Sequence, residues 1–224
     1  MPSRTIVDLS HPLDPRVPMF PGLPAPGIEE FLSREASRSH YAGGTTFLIQ
    51  RYHLIGNSGT YLDSPFHRHA DGPDLATLPL ERLADLPGIV LDVSASCVAA
   101  RCAVDAGDFA GLALAGASLL VRTGWDARWP GPGYLAPNPY LTEDAAALLV
   151  ERGAALVGID TWNIDDTGDG RRPVHTALLA AGIPIVENLC HLDRLPGRGF
   201  RFHAAPLPIA GGSASPVRAY AVVG

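Results

Sequence analysis

Leu156-Val157-Gly158-Ile159-Asp160 is the stretch that decides how this chain folds. Four apolar or small residues in a row, preceded by Gly153 and closed by a carboxylate, read as a strand buried on both faces. Upstream, residues 142–153 read as a helix. Thr142 is the candidate N-cap, Glu143 and Asp144 complement the helix dipole, Ala146, Leu148, Leu149 and Val150 form the apolar face, and Gly153 stops it. Downstream, residues 174–181 read as a short helix ended by Gly182, and residues 183–187 as the next strand. Farther out, residues 88–93 and Ser118–Arg122 are apolar strand candidates, residues 79–86 a candidate helix, and residues 206–210 and 219–223 two more strand-like runs.

The N-terminal part is less regular. Ile6-Val7-Asp8-Leu9 reads as a strand, Pro12, Pro15, Pro18, Pro21, Pro24 and Pro26 mark an irregular arm, and residues 45–55 form a β-branched and aromatic strand ending at Gly56-Asn57-Ser58-Gly59. Strands and helices are mixed without strict alternation. An α/β fold with a mixed sheet and packed helices is therefore expected rather than a doubly wound parallel sheet, in a single domain over residues 1–224.

Composition narrows the function. With 46% apolar and 18% charged residues among 224, the chain can bury a full core. No apolar run reaches the roughly 18–20 residues that cross a bilayer, and residues 1–9 show neither a basic leader nor an apolar signal core, so a cytoplasmic location without membrane contact is expected. All 17 basic residues are arginine, which removes Schiff-base and P-loop lysine chemistry. A net charge of −6, with no basic run longer than Arg171-Arg172, argues against nucleic acid. Cys97, Cys102 and Cys190 contain no CxxC pair and are expected as separate reduced thiols.

Histidines and carboxylates carry the chemistry. Asp63, His67, His69 and Asp71 lie within nine residues after the glycine turn, and Pro65 among them demands loop geometry rather than a helix. His175 opens one helix and Glu187 closes the strand returning from it. About 10 Å of helix and about 16 Å of strand in the opposite sense bring both to one sheet edge, where they can share a ligand or simply cap and pair. Asp160 ends a strand, either as a turn residue or as an acceptor orienting a histidine. No Gly-x-Ser-x-Gly elbow or GxGxxG loop is present.

Five ordered segments together resemble one family. They are Ile6-Val7-Asp8-Leu9-Ser10-His11-Pro12-Leu13, the run Asn57-Ser58-Gly59-Thr60-Tyr61-Leu62-Asp63-Ser64-Pro65-Phe66-His67, Arg122-Thr123-Gly124-Trp125, Val157-Gly158-Ile159-Asp160-Thr161, and residues 173–189. The second falls without a gap on H-x-G-T-H-x-D-x-P-x-H, the signature of the cyclase family that includes bacterial kynurenine formamidases and isatin hydrolases. The resemblance implies the swivelling β/β/α fold, a small-molecule substrate and a homodimer or homotetramer. It also implies a metal site of Asp63, His175 and Glu187, with His67 as base. Asn57 and Tyr61 stand where the family has two metal-binding histidines, which leaves three candidate ligands and favours one divalent ion, zinc or manganese, over two.

The expected chemistry is metal-assisted hydrolysis of an amide or ester-like carbonyl, with His67 relaying the proton and Tyr61 donating a hydrogen bond. Asn57 would contact ion or substrate, and Trp125, Trp129 and Tyr134 are candidates for stacking an aryl substrate. Two alternatives stand beside this: a lyase or cyclase using Tyr61 and His67 as an acid/base pair, and a binding protein without turnover.

Overall fold

The computed structural model describes residues 4–97 and 101–224; the first three residues of the 1–9 stretch lie outside them. In chain order its strands are β1 (Thr5–Asp8), β2 (Gly27–Leu32), β3 (Ile49–His53), β4 (Tyr61–Asp63), β5 (Leu86–Asp92), β6 (Ala103–Val104) and β7 (Ser118–Arg122). They continue with β8 (Tyr140–Leu141), β9 (Leu156–Ile159), β10 (Ile185–Glu187), β11 (Arg198–His203), β12 (Ala214–Pro216) and β13 (Tyr220–Val223). The helices are α1 (Arg34–Ser37), α2 (Glu143–Glu151) and α3 (Pro173–Ala180).

Nine strands make one sheet in the order β1-β13-β11-β5-β7-β9-β10-β4-β12. Its centre, β5-β7-β9-β10, is parallel, and antiparallel strands flank it on both sides. This is the mixed sheet expected from the sequence.

Period-two alternation separates two cores. Leu119, Val121, Val157, Ile159 and Ile185 face α2 and α3, packing with Leu149, Leu178 and Leu179. Leu120, Leu156 and Val186 face the other way, toward Leu9, Leu62, Phe200 and Phe202. Buried on both sides, β9 needs its continuous apolar sequence. Gly158 is required within it, since a Cβ there would meet Leu189 Cδ1 at 2.6 Å and Leu120 Cδ2 at 2.9 Å. Thr142 Oγ1 caps α2 by accepting from Ala145 N at 3.1 Å.

Three local expectations need correction. Residues 79–86 form only a 3-10 turn at Leu80–Arg82. Asp85 takes φ 55°, and Pro87 keeps Leu86 extended, so the chain enters β5 instead of a helix. Residues 206–210 run as loop with Leu207 and Ile209 exposed, because Pro206 and Pro208 have no N–H to give a ladder. Cys97 and Cys102 are disulfide-bonded rather than separate thiols: the chain turns after β5 and brings their Cα atoms to 5.2 Å, within bridging range. Cys190 is a buried free thiol, as expected.

Among the described residues no helix is long and apolar enough to cross a membrane. The ribbon β2–β3 stands apart from the main sheet, with Ile28, Phe31, Ile49 and Tyr52 all exposed.

Candidate metal centre and cavity

Register builds the site. β4 and β10 pair antiparallel with Tyr61 opposite Glu187 and Asp63 opposite Ile185, so period two sends Tyr61, Asp63 and Glu187 to the helix-bearing face while Leu62 and Val186 face the other core. That face, at the carboxyl end of the parallel strands, is where α3 begins. Helix α3 has Pro173 in its first turn and Arg172, at φ 52°, in the N-cap position without a side-chain cap bond. Its free N–H groups are met from a distance: Asp165 accepts from Val174 N at 2.8 Å and His175 N at 3.1 Å.

The same carboxylate holds the imidazole. Asp165 Oδ2 lies 2.6 Å from His175 Nδ1, which keeps that proton on Nδ1 and leaves Nε2 facing inward. Nε2 is 3.6 Å from both Asp63 Oδ2 and Glu187 Oε1. One ligand atom from each of Asp63, His175 and Glu187 lies within 4.8 Å of the others, and all three residues are buried.

This donor set fits a divalent cation. Two carboxylates and one imidazole match zinc and manganese chemistry, and Asp63 Oδ2 is a buried oxygen with no hydrogen-bond partner. Burial opposes a charged His175, but its hydrogen bond to Asp165 and the neighbouring carboxylates of Asp63 and Glu187 outweigh it, raising its pKa to about 10. Burial, with Asp63 nearby, raises Glu187 to about 7 against the pull of His175. A cation here would replace the proton that these groups otherwise share.

Tyr61 and Asn57 each hold a carboxylate oxygen of the trio. Tyr61 OH donates to Glu187 Oε2, and Asn57 Nδ2 donates to Asp63 Oδ1 at 3.0 Å. Burial, then the charges of Glu187 and Asp63, push the Tyr61 pKa well above its ordinary value, so the phenol keeps its proton and acts as a donor. His67, whose side chain is 34% exposed, places Nδ1 3.6 Å from Asp63 Oδ1.

Above the trio opens a cavity of about 400 Å³ lined by Asn57, Tyr61, His67 and His175, with apolar walls from Phe20, Leu23, Leu135 and Trp162. Trp125 and Trp129 do not line it. Trp125 is buried with Nε1 donating to the Tyr134 carbonyl at 2.8 Å, and Trp129 stacks on His11 at 4.1 Å. Tyr134 is fully buried, donating to Asn188 Oδ1 at 2.6 Å. His69 contacts the Thr176 carbonyl and Asp71 is exposed, so neither joins the trio. Asp160 is a turn residue, accepting from Thr123 N, Thr123 Oγ1 and Gly124 N.

Phe20, Trp162 and Asp165 were not singled out from the sequence. The signal for Asp165 was a helix opening on Pro173 behind Arg172, a start whose N–H groups need a remote acceptor.

This fold and this site are those of an enzyme acting on small molecules. The chain belongs to the family described as "Putative cyclase", whose model matches residues 7–166, in agreement with the resemblance read from the sequence. Similar proteins include the kynurenine formamidases of Bacillus cereus (strain ATCC 14579), 29% identical over 213 residues, and Bacillus mycoides (strain KBAB4), 30% identical over 215 residues; each match covers 95% of both chains. Among solved structures, an isatin hydrolase bound to the product analogue thioisatinate superposes with a TM-score of 0.86 at 26% identity, covering 98% of this chain and 92% of that one. Isatin hydrolase A from Labrenzia aggregata, bound to benzyl benzoate, gives 0.86 at 28% identity, covering 98% and 94%.

Proposed function

We propose that this chain is a metal-dependent hydrolase of an amide or cyclic amide or ester bond in an aryl compound, similar to arylformamidase, working with one divalent ion. The observation that carries this is the convergence of Asp63, His175 and Glu187 on one point, with Asp63 Oδ2 buried and unpartnered.

Asp63, His175 and Glu187 would hold the ion, zinc or manganese by donor chemistry, and when bound it supplies Lewis acidity toward a carbonyl oxygen and water. Asp165 fixes the tautomer and orientation of His175. Tyr61 and Asn57 donate to Glu187 Oε2 and Asp63 Oδ1, which leaves those oxygens less available as ligands and favours one ion over two. His67, exposed at the cavity and adjacent to Asp63, would take a proton and return it to the leaving group. Phe20 and Trp162, with ring centroids 5.6 Å apart, offer the aryl group an apolar wall. A homodimer or homotetramer is part of the proposal, supported by the exposed apolar ribbon β2–β3; the cytoplasmic location proposed with it rests on the sequence alone.

Elemental analysis of protein purified without chelator tests this. About one ion per chain is expected, lost in His175→Ala and Glu187→Ala, with formanilide hydrolysis abolished by chelation and restored by zinc or manganese. A metal-free chain that is active on lactones or formamides would favour a lyase or cyclase. A metal-free and inactive chain that is thermally stabilised by one such compound would favour a binding protein.

A further inference from the structure

The cavity wall carries no acidic side chain among its described lining, although the chain as a whole bears a net charge of −6. Asp63 and Glu187 lie buried beneath it. Formal charge on the wall comes instead from Arg68 and Arg172, beside His67 and His175.

Both arginines are held at the start of α3 by neutral oxygens. Arg68 Nε donates to Thr176 Oγ1 at 3.1 Å, Arg172 Nη1 donates to the Asp166 carbonyl at 2.9 Å, and Thr176 Oγ1 donates to the Arg172 carbonyl at 2.8 Å. Nearby arginines are neutralised: Arg171 pairs with Asp169 and Glu143, Arg101 with Asp166, and Arg122 with Asp92. Among the described residues neither Arg68 nor Arg172 forms a direct ion pair; the charge of Arg172 is felt by Asp169, whose own contact is the Arg171 guanidinium. Each guanidinium has five N–H donors and spends one on its anchor, so planar donor pairs remain for a carboxylate. Two positioned cations without a direct ion pair, on a wall without acids, concentrate anions against the sign of the whole molecule.

We infer that Arg68 and Arg172 are specificity-determining residues that select substrates bearing a carboxylate next to the apolar body. The apolar body packs against Phe20, Leu23, Leu135 and Trp162, and the carboxylate meets the two guanidinium groups at the rim. This rests on the proposal that the cavity is the substrate site of a hydrolase.

Calorimetric binding of 2-aminobenzoate and its neutral isostere 2-aminobenzamide tests the inference without requiring turnover, on protein loaded with manganese and on chelator-treated protein. Wild type is expected to bind the acid at least tenfold more tightly than the amide in both states, with the preference shrinking as salt rises. Arg172→Gln and Arg68→Gln each reduce that preference several-fold, and the double variant removes it. Arg68 is exposed, so Arg68→Gln and the salt series decide the matter even where Arg172→Gln does not fold. Equal affinity for acid and amide in wild type, or a preference that survives the double variant, overturns the inference. A chain that keeps the arginine-dependent preference yet hydrolyses no formamide or ester supports this inference and sinks the hydrolase proposal. A chain that hydrolyses formanilide without any acid preference does the reverse.

Discussion

His175 Nδ1 lies 2.6 Å from Asp165 Oδ2, and the same carboxyl group receives the backbone N–H of His175 and of Val174. One side chain therefore starts the helix and aims its imidazole. Asp165→Ala is expected to weaken zinc or manganese binding about 10- to 100-fold, the usual consequence of losing the partner that orients a metal-ligating histidine. Competition titration against a chelator measures it, and unchanged affinity would remove Asp165 from the account.

Placing histidines at positions 57 and 61 tests the reading of those positions as departures from the family signature. In Asn57→His with Tyr61→His, two donors that occupy Asp63 Oδ1 and Glu187 Oε2 become two candidate ligands. Metal content is expected to rise from about one ion per chain to about two. Tyr61→Phe alone leaves a buried carboxylate oxygen without its donor and should destabilise the chelator-treated protein by about 1–3 kcal/mol in urea unfolding.

Stability of the metal-free protein should fall as pH rises. His175 is raised from 6.5 to about 10 and Glu187 from 4.5 to about 7, so the folded state holds protons that the unfolded chain has released. Their contribution is complete below the unfolded values and disappears as pH passes through the folded ones. His11 has the opposite sign: burial, then His191, lowers it to about 4, so its contribution is complete above 6.5 and is lost toward pH 4. Scanning calorimetry of chelator-treated protein should show a Tm maximum between about pH 5 and 7 and a decline toward pH 10. Because a metal displaces the same protons, added zinc or manganese should raise Tm more at pH 9 than at pH 6.

The aromatic residues should divide by role. Phe20 is exposed on the cavity wall, so Phe20→Ala should raise KM for an aryl formamide roughly three- to tenfold with little change in Tm. Trp125 is buried away from the cavity, so Trp125→Ala should cost about 3–5 kcal/mol in stability and leave KM nearly unchanged. A rise in KM for Trp125→Ala alone would restore it as a substrate contact.

Gly158→Ala should destabilise the chain by about 1–3 kcal/mol, because the added methyl would press on Leu189 and Leu120 where β9 is packed on both faces. The urea midpoint reads this directly, and a neutral result would show that this layer relaxes more freely than its contacts suggest.

Local chemistry made much of this legible in the sequence. The apolar run before Asp160 reads as a central strand, Thr142 with two acids reads as a helix start, and Ser118–Arg122 appears in the fold with the same bounds. The strand β11 was also written there, as the alternation of Phe200 and Phe202 between arginines and a histidine, but its neighbouring glycines obscured it. The candidate ligands Asp63, His175 and Glu187 came partly from spacing, for the helix and strand between His175 and Glu187, and partly from the family signature.

By itself the sequence determined what depends on neighbours along the chain: period, caps, turn residues, the missing lysines, and the order of motifs that marks the family. Only the tertiary structure decided which remote groups meet. Asp165 reaching His175, Tyr61 opposite Glu187, the Cys97–Cys102 bridge, Phe20 and Trp162 on the cavity wall, and Trp129 turned away onto His11 all depend on strand register and loop paths. Those are set by burying two apolar faces of one sheet at once, a constraint summed over the whole chain that no short window of residues contains.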